Sequence, residues 1–332
     1  MKGDRGQVAG WIFAGTALVI SGGALAQQLA VNVAGYPSRP IRVIVPQSPG
    51  ASTDLTARLI ARSLSDAWKQ PVVVDNRPGA GTIIGTELVV RAAPDGHTLM
   101  VVASGITVNP SMHKRMPYDT ERDLAPVSQL TRFSNLLAAH PSFAGKNLQD
   151  MLAMAKARPG TINFASAGLA SGTHMSMELL KAMTGIDLVH IPYTGGGPAV
   201  TATIGGQVQL NIGTTVGVLP HVRSGKLRAI AVTTAARSPA APEVPTFAES
   251  GVTGYDHGPW NGLFAPAKTP PAVLAKIHGE VVRALQSPDV RKVFANEGVE
   301  VVASSPELFA GMVRTELAMW AKVVKAAGIK LE

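Results

Sequence analysis

One local pattern recurs along the chain and restricts its possible folds: a short apolar strand, a turn rich in Gly, Ser or Thr, and then a helix. In the clearest copy, Ile41, Val43 and Val45 are typical of a buried strand, and Leu55 to Leu64 place apolar residues at helical spacing. Copies of the pattern occur at residues 41–64, 72–92, 162–183 and 188–204. Because strands alternate with helices, we predict an α/β fold with parallel strands covered by helices.

Two stretches with little helical character, residues 124–140 and 255–266, interrupt this alternation. We interpret them as extended crossing segments, which divides the chain into two β/α lobes joined by two crossing strands. The predicted boundaries are 41–130 and 245–332 for lobe 1, and 131–244 for lobe 2 with its hinge segments. The C-terminal helices are expected to pack back on lobe 1. The alternative architecture is one continuous doubly wound sheet.

The N-terminus has the features of an export signal. Lys2 and Arg5 precede an apolar stretch, Val8 to Ile20, that is short for a membrane span, and Ala24-Leu25-Ala26 suits a signal peptidase. We predict a signal peptide over residues 1–26, cleavage after Ala26, and a leader over residues 27–40. The alternative is a retained N-terminal anchor. The chain has no cysteine, which fits a periplasmic protein whose core needs no disulfide.

The charge distribution narrows the classes of partner. The net charge is +8, but the basic residues are scattered and aromatic residues make up only 5% of the chain. Nucleic-acid binding is therefore disfavoured, since it needs a clustered basic surface. A mildly positive surface instead favours small anions.

The turns of the repeated pattern could bind such an anion. In parallel sheets these turns gather at the carboxyl edge, where N–H groups and hydroxyls at helix N-termini face a ligand. The relevant turns are Pro49–Thr53, Pro78–Thr82, Gly168–Thr173, Tyr193–Pro198 and Gly213–Thr215. The alternative is that these residues only end strands and cap helices. Because the turns occur in both halves, we predict an anion site in the cleft between the lobes.

Three other patterns are weaker. The stretch Gly79 to Gly85 resembles a dinucleotide fingerprint, but Ile84 stands at the position of the third glycine. His174 and Glu178 have a metal-ligand spacing on a predicted helix, yet no convincing third ligand is visible. Ser166 lacks the preceding glycine of a nucleophile elbow, although His174 and His190 are candidate bases. We therefore predict no cofactor, no metal and no catalytic residue.

Several longer motifs resemble the Bug family of periplasmic solute receptors, the substrate-binding components of tripartite tricarboxylate transporters. The matching stretches span the mature chain at residues 36–46, 76–81, 94–99, 190–195, 205–208, 225–233, 244–246 and 262–266. The resemblance implies a type II periplasmic binding protein fold that closes on a carboxylate-bearing ligand. In such receptors main-chain N–H groups and ordered waters hold the carboxylate.

The resemblance also implies a set of ligand-binding positions. They are Gln47, Ser48, Gly50, Ala51, Ser52 and Thr53 in the first loop, Ser104 after the third strand, Ser166, Ala167, Gly168, Thr173, Tyr193, Gly195 and Gly196 in loops of lobe 2, and Asn211. Two departures stand out. Gln47 replaces an aromatic residue with Gly50-Ala51 in place of a Gly-Gly pair, and Asn211 replaces an aspartate. Losing that aspartate should favour a second carboxylate or a neutral polar group over a cationic one.

The sequence thus predicts a non-enzymatic, monomeric periplasmic receptor for a small organic acid, with integral-membrane transporter subunits as partners. One alternative is a sensor that presents the bound ligand to a signalling ectodomain. The other is a periplasmic hydrolase or lyase, which requires a base within hydrogen-bond reach of Ser166.

Overall fold

The computed structural model describes residues 35–329, and these form two separate mixed β-sheets. The predicted signal peptide and most of the leader lie outside the described residues. The first sheet has six strands, in the spatial order β11 (Val299–Val301), β4 (Leu124–Phe133), β10 (Trp260–Pro266), β3 (Thr98–Ala103), β1 (Ile41–Val45) and β2 (Val72–Asn76). Strands β1, β2 and β3 are parallel, whereas β10 runs antiparallel to both β3 and β4.

The second sheet has five strands, in the order β7 (Val189–Pro192), β6 (Asn163–Ser166), β8 (Leu210–Thr214), β5 (Asn135–Ala139) and β9 (Arg228–Val232). Strand β6 is parallel to β7 and β8, and β5 is antiparallel to β8 and β9. Two sheets confirm the two-lobed α/β fold, and the alternative of one continuous sheet is wrong. Among residues 35–329, no helix combines the length and apolar character needed to cross a membrane.

Helices cover both faces of each sheet, which explains why strands such as β1 read as nearly continuous apolar runs. In lobe 1 the helices are α1 (Ser52–Trp68), α2 (Ile83–Val90), α3 (Gly105–Met112), α4 (Thr120–Asp123), α9 (Pro271–Gln286) and α10 (Pro288–Asn296). In lobe 2 they are α5 (Leu148–Ala157), α6 (Gly172–Thr184), α7 (Gly196–Ile204) and α8 (Thr215–Arg223). The last helix is α11 (Pro306–Ala326).

The first crossing is direct, because only Ser134 separates β4 in one sheet from β5 in the other. The second crossing differs from the boundary predicted at residue 245. Thr246 forms a parallel bridge with Val232, and the rings of Phe247 and Tyr255 lie 4.7 Å apart in the core of lobe 2. The chain therefore stays on lobe 2 until β10 begins. The apolar residues Phe247, Val252 and Tyr255 are buried there.

Helix α11 belongs to both lobes. Phe309 and Val313 in its first half lie in the core of lobe 1, whereas Trp320 and Val324 near its end lie in the core of lobe 2. The expectation that all C-terminal helices pack on lobe 1 is therefore wrong for α11, although α9 and α10 do pack there. A helix of 21 residues is about 30 Å long, enough to reach across both cores.

The contact between α11 and β10 gives a test of this packing. A Cβ added at Gly262 would overlap the ring of Phe309 and lie 2.8 Å from Trp260. We expect Gly262→Ala to lower the free energy of unfolding by about 1–3 kcal/mol, because the core must shift to admit the methyl group. Urea denaturation would measure the change.

The matched control is Gly279→Ala in α9, where an added Cβ meets nothing within 4 Å. It should raise the free energy of unfolding by about 0.5–1 kcal/mol through helix propensity alone. Equal effects of the two substitutions would contradict the packing of Phe309 against Gly262.

Candidate functional site

A cavity of about 270 Å³ lies between the two lobes, where β1 ends and α1 begins. Lobe 1 contributes most of its walls, and residues of the β8–α8 junction close it from lobe 2. The lining residues are Gly50, Ala51, Ser52, Leu55, Thr56, Ala103, Phe133, Thr214, Val216, Pro259, Trp260, Asn261, Phe294, Glu297 and Val299. The cavity is therefore at the predicted cleft, although only Gly50, Ala51 and Ser52 of the predicted site residues line it.

The first loop presents the N-terminus of α1 to this cavity. Ala51 is the N-cap residue, with an extended backbone and no side-chain cap. The first-turn N–H groups of a helix have no acceptor within the helix, and the start of α1 at Ala51 and Ser52 lines the cavity. The N–H of Gly50 instead donates to Asp54 at 3.0 Å. The carbonyl of Ser48 accepts from the N–H of Ala51 at 3.3 Å.

Asp54 lies in the first turn of α1, and its carboxylate already accepts hydrogen bonds from groups within the protein. Its carboxylate accepts hydrogen bonds from Arg58, Asn76 and the N–H of Gly50, each at 3.0 Å. Burial raises the pKa of Asp54, but these hydrogen bonds outweigh it and hold the pKa below its usual value. Asn76 also donates to the carbonyl of Gln47 at 3.1 Å, which fixes the start of the loop. The side-chain oxygen of Gln47 is buried, with no hydrogen-bond partner in residues 35–329.

The floor of the cavity is a small network that joins α1 to β10. Thr53 donates to the side-chain carbonyl of Asn261 at 3.1 Å, and the amide of Asn261 donates to Thr56 at the same distance. Asn261 is only 1% exposed. We did not predict this residue from the sequence; the available signal was a single amide within the apolar strand β10. Ser104 lies nearby, and its N–H is taken by the carbonyl of Trp260 at 2.9 Å.

A second cavity, of about 330 Å³, adjoins the first at Thr214 and lies between the N-termini of α7 and α8. Gly196 lines it, and Gly195 is the N-cap of α7 with φ +144°, a conformation that favours glycine. Asn211 is the second residue of β8, two residues before Gly213. It is fully buried, and within the described part of the chain neither atom of its amide has a hydrogen-bond partner. Its oxygen would lie 3.1 Å from a Cβ on Gly213, which lines this cavity.

The β6–α6 loop differs from the prediction that its N–H groups are free to bind a ligand. The N–H of Ala167 donates to Thr173 at 3.1 Å, and that of Gly168 donates to the Ser166 hydroxyl at 3.2 Å. The N–H of Tyr193 donates to the carbonyl of Ser166 at 3.2 Å. These N–H groups therefore donate to acceptors within the protein. The side-chain caps that accept from them could be identified only from the folded loop.

Comparisons with known proteins agree with this architecture. The family described as "Tripartite tricarboxylate transporter family receptor" matches residues 56–329. Protein BugT of Bordetella pertussis is 40% identical over 304 residues, which cover 91% of this chain and 93% of that protein. The chain belongs to the tripartite tricarboxylate transporter receptor family. Members of this family are periplasmic solute-binding proteins.

Two solved structures resemble the receptor and were determined with ligands. R. palustris Rpa4515 with adipate is 34% identical with a TM-score of 0.74, and the match covers 90% of this chain and 100% of that chain. MatC from Rhodopseudomonas palustris with bound malate is also 34% identical, with a TM-score of 0.71 and coverage of 87% and 100%.

The receptor contains a serine–histidine contact that bears on the hydrolase alternative. His190 Nε2 lies 2.7 Å from the Ser166 hydroxyl, so distance alone does not exclude a nucleophile and base. However, Ser166 is 0% exposed, and its hydroxyl also contacts the carbonyl of Gly168 at 3.1 Å. If the hydroxyl proton is directed to that carbonyl, His190 donates to Ser166, the reverse of general-base activation. In that arrangement the contact holds β6 and β7 together at the start of the β6–α6 loop.

A stacked histidine pair lies behind this contact. The rings of His174 and His190 are 3.8 Å apart, and His174 Nδ1 accepts from the N–H of Ala170 at 3.1 Å. Glu178 lies 3.5 Å from His174 and 3.0 Å from Lys181. The expected pairing of His174 with Glu178 is thus a buried contact completed by a lysine, and among residues 35–329 no group of three metal-binding side chains is present.

Burial and the proximity of His174 lower the pKa of His190 to about 4. Between about pH 6.5 and pH 4 the unfolded chain therefore binds a proton that the folded chain does not, so the receptor should lose stability as the pH falls through this range. We expect His190→Gln to reduce the loss by on the order of 1 kcal/mol, because the half-buried ring is partly screened by solvent. Urea denaturation at pH 7 and pH 4.5 would measure it.

His257→Gln is the parallel variant, since burial also lowers the pKa of His257 to about 4. Each substitution should remove the part of the pH dependence of the free energy of unfolding that its histidine contributes. An unchanged difference between the two pH values in His190→Gln would show that His190 titrates normally in the folded protein.

Proposed function

We propose that this receptor binds a small organic acid in the cavity between its lobes and delivers it to integral-membrane transporter subunits. The observation that carries the proposal is the uncapped N-terminus of α1, which faces the cavity at Gly50, Ala51 and Ser52. The partial positive charge and free N–H groups of a helix N-terminus favour a carboxylate. The similarity to proteins determined with adipate and with malate supports the same chemical class.

The electrostatics of the cavity fit main-chain recognition. Among the described residues that line it, Glu297 is the ionisable side chain, and none is lysine or arginine. An anion here would depend on N–H groups and hydroxyls. Closure of the lobes would exclude water and strengthen those hydrogen bonds.

Calorimetric titration of the purified protein with a panel of mono-, di- and tricarboxylates tests the proposal. At least one member should bind, and uptake of that acid by cells should require the receptor gene. Absence of binding by every acid in the panel, or hydrolase activity in place of binding, would overturn the proposal.

Ser52→Asp tests the anion site directly. An added carboxylate in the first turn complements the helix dipole, so the protein should stay folded, but it repels a bound carboxylate. We expect a loss of affinity of at least tenfold, measured by calorimetry with the tightest ligand of the panel. Ala272→Asp is the matched control, since Ala272 is exposed in the first turn of α9 and does not line the cavity. Equal affinities in both variants would remove the α1 N-terminus from the site.

Asn211→Asp tests the second lobe. A negative charge on β8, two residues before Gly213, should disfavour a second carboxylate, so affinity for dicarboxylates should fall about tenfold more than for monocarboxylates, a difference of about 1.4 kcal/mol. Asn163→Asp on neighbouring strand β6 is the control, since Asn163 lies two residues before Ala165, the register partner of Asn211, and lines neither inter-lobe cavity. Thermal unfolding of both variants separates lost affinity from lost stability. An unchanged ligand ranking would place Asn211 outside the site.

A further inference from the structure

Three polar side chains on the wall of the inter-lobe cavity have no partner in the described part of the chain. Ser52 and Thr214 contribute hydroxyls from opposite lobes, and Glu297 contributes a carboxylate. None of the three side chains forms a hydrogen bond or an ion pair with another described protein group. On the floor of the cavity, by contrast, the amide of Asn261 already donates to Thr56 at 3.1 Å. A ligand would therefore find its side-chain partners mainly among these three residues.

The carboxylate of Glu297 does not stabilise the helix to which it belongs. Glu297 is the C-cap residue of α10, where the partial negative charge of the helix dipole disfavours an anion. The residue is exposed and has no cationic partner to offset this cost. A carboxylate that is unpaired, lies at the unfavourable end of a helix and lines the cavity is better explained by ligand binding than by folding.

Glu297 lies where the two lobes meet. The next residue, Gly298, has φ +61°, and a Cβ added to it would lie 2.4 Å from Cγ1 of Val216 in lobe 2. This close approach places the turn between α10 and β11 of lobe 1 against the first turn of α8. Glu297 and Val216 therefore belong to one wall of the cavity, and the start of α1 belongs to another part of its lining.

We propose that Glu297 determines which group a ligand carries in addition to the carboxylate bound at α1: a hydrogen-bond donor, either a hydroxyl or an ammonium group, rather than a second carboxylate. This inference rests on the proposed function and adds the substrate class. An ionised carboxylate only accepts hydrogen bonds, so a group that bonds Glu297 must donate. The hydroxyls of Ser52 and Thr214 can complete the bonding of a ligand hydroxyl, since hydroxyls both donate and accept. A second ionised carboxylate would instead meet the like charge of Glu297.

The expected discrimination is moderate, because Glu297 is exposed and solvent screens its charge. An acid with a terminal hydroxyl or ammonium group should bind at least about threefold more tightly than the dicarboxylate of the same length. The ammonium group adds an opposite charge, so its advantage over the dicarboxylate should be largest at low salt and should shrink as the salt concentration rises.

Two sets of matched acids test the inference by calorimetry. Within each set the acids share one chain length and differ in the terminal group: butyrate, 4-hydroxybutyrate, 4-aminobutyrate and succinate, and hexanoate, 6-hydroxyhexanoate, 6-aminohexanoate and adipate. In each set that binds, at least one donor-bearing acid should have a dissociation constant at least about threefold below that of the dicarboxylate. A dicarboxylate that binds more tightly than this limit would overturn the inference and leave the proposed function standing.

Glu297→Gln removes the charge and nearly keeps the shape of the side chain. It should reduce the preference for the donor-bearing acid by at least about threefold, mainly because the dicarboxylate binds more tightly without the repulsion. Glu297→Lys should reverse the preference. Glu300→Gln is the matched control, since Glu300 is exposed on β11 and does not line the cavity.

Thermal unfolding of the three variants separates altered binding from altered stability. An unchanged preference in folded Glu297→Gln, or an equal change in Glu300→Gln, would contradict the role of Glu297. Absence of binding by all the acids of both sets would also overturn the inference, and the broader carboxylate panel would then test the proposed function separately.

Discussion

The buried hydrogen bonds of Asn261 hold the site together. They join the first turn of α1 to β10, across 208 residues of sequence between Thr53 and Asn261. A buried amide left without partners is costly, so these bonds fix the direction of α1 relative to β10. The N–H groups at the start of α1 are therefore aimed by a strand that is also the return crossing between the lobes. A rotation of one lobe relative to the other would therefore change the position of these N–H groups, where an anion would bind.

The connections between the lobes form a short, stiff hinge. One residue, Ser134, separates β4 from β5, and β10 returns directly into the first sheet. Helix α11 adds a third connection, since its Glu316 accepts hydrogen bonds from Thr107 at 2.7 Å and from Trp260 at 2.9 Å, whereas Trp320 is buried in lobe 2. Burial raises the pKa of Glu316 above its usual value. A rotation of the lobes must be absorbed near these residues.

Local features of the sequence predicted the elements well where a single pattern determined them. The β1–α1 unit, the strands of the first crossing and helices α9 to α11 follow from periodicity, prolines and caps. Helix α3 does not follow from such patterns, because Pro110 lies within its eight residues. The extent of lobe 2 was missed because burial of Phe247 and Tyr255 depends on a sheet formed by distant strands.

The site was predicted less completely, for a related reason. Sequence motifs located the first loop, but the contributions of Asn261, Thr214 and Val216 arise only when β10 and β8 meet α1. The prediction for Ser166 was incomplete for the same reason, because it also depended on contacts formed only in the folded protein. Its proximity to His190 was conceivable, but the caps that use the N–H groups of Ala167 and Gly168 required the folded loop.

In the proposed binding mode, main-chain N–H groups and wall side chains have separate roles. The N–H groups at the start of α1 exist whatever the local side chains are, because they follow from a strand that ends where a helix begins. In the proposed binding mode, substitutions in the wall would alter the preferred carbon skeleton without removing the main-chain hydrogen bonds to the carboxylate. Two relatives that are each 34% identical to this receptor were determined with adipate and with malate, so the ligand differs between relatives of equal similarity to it. In the proposed binding mode, the backbone would define the charged group and the side chains of the wall would define the rest of the ligand.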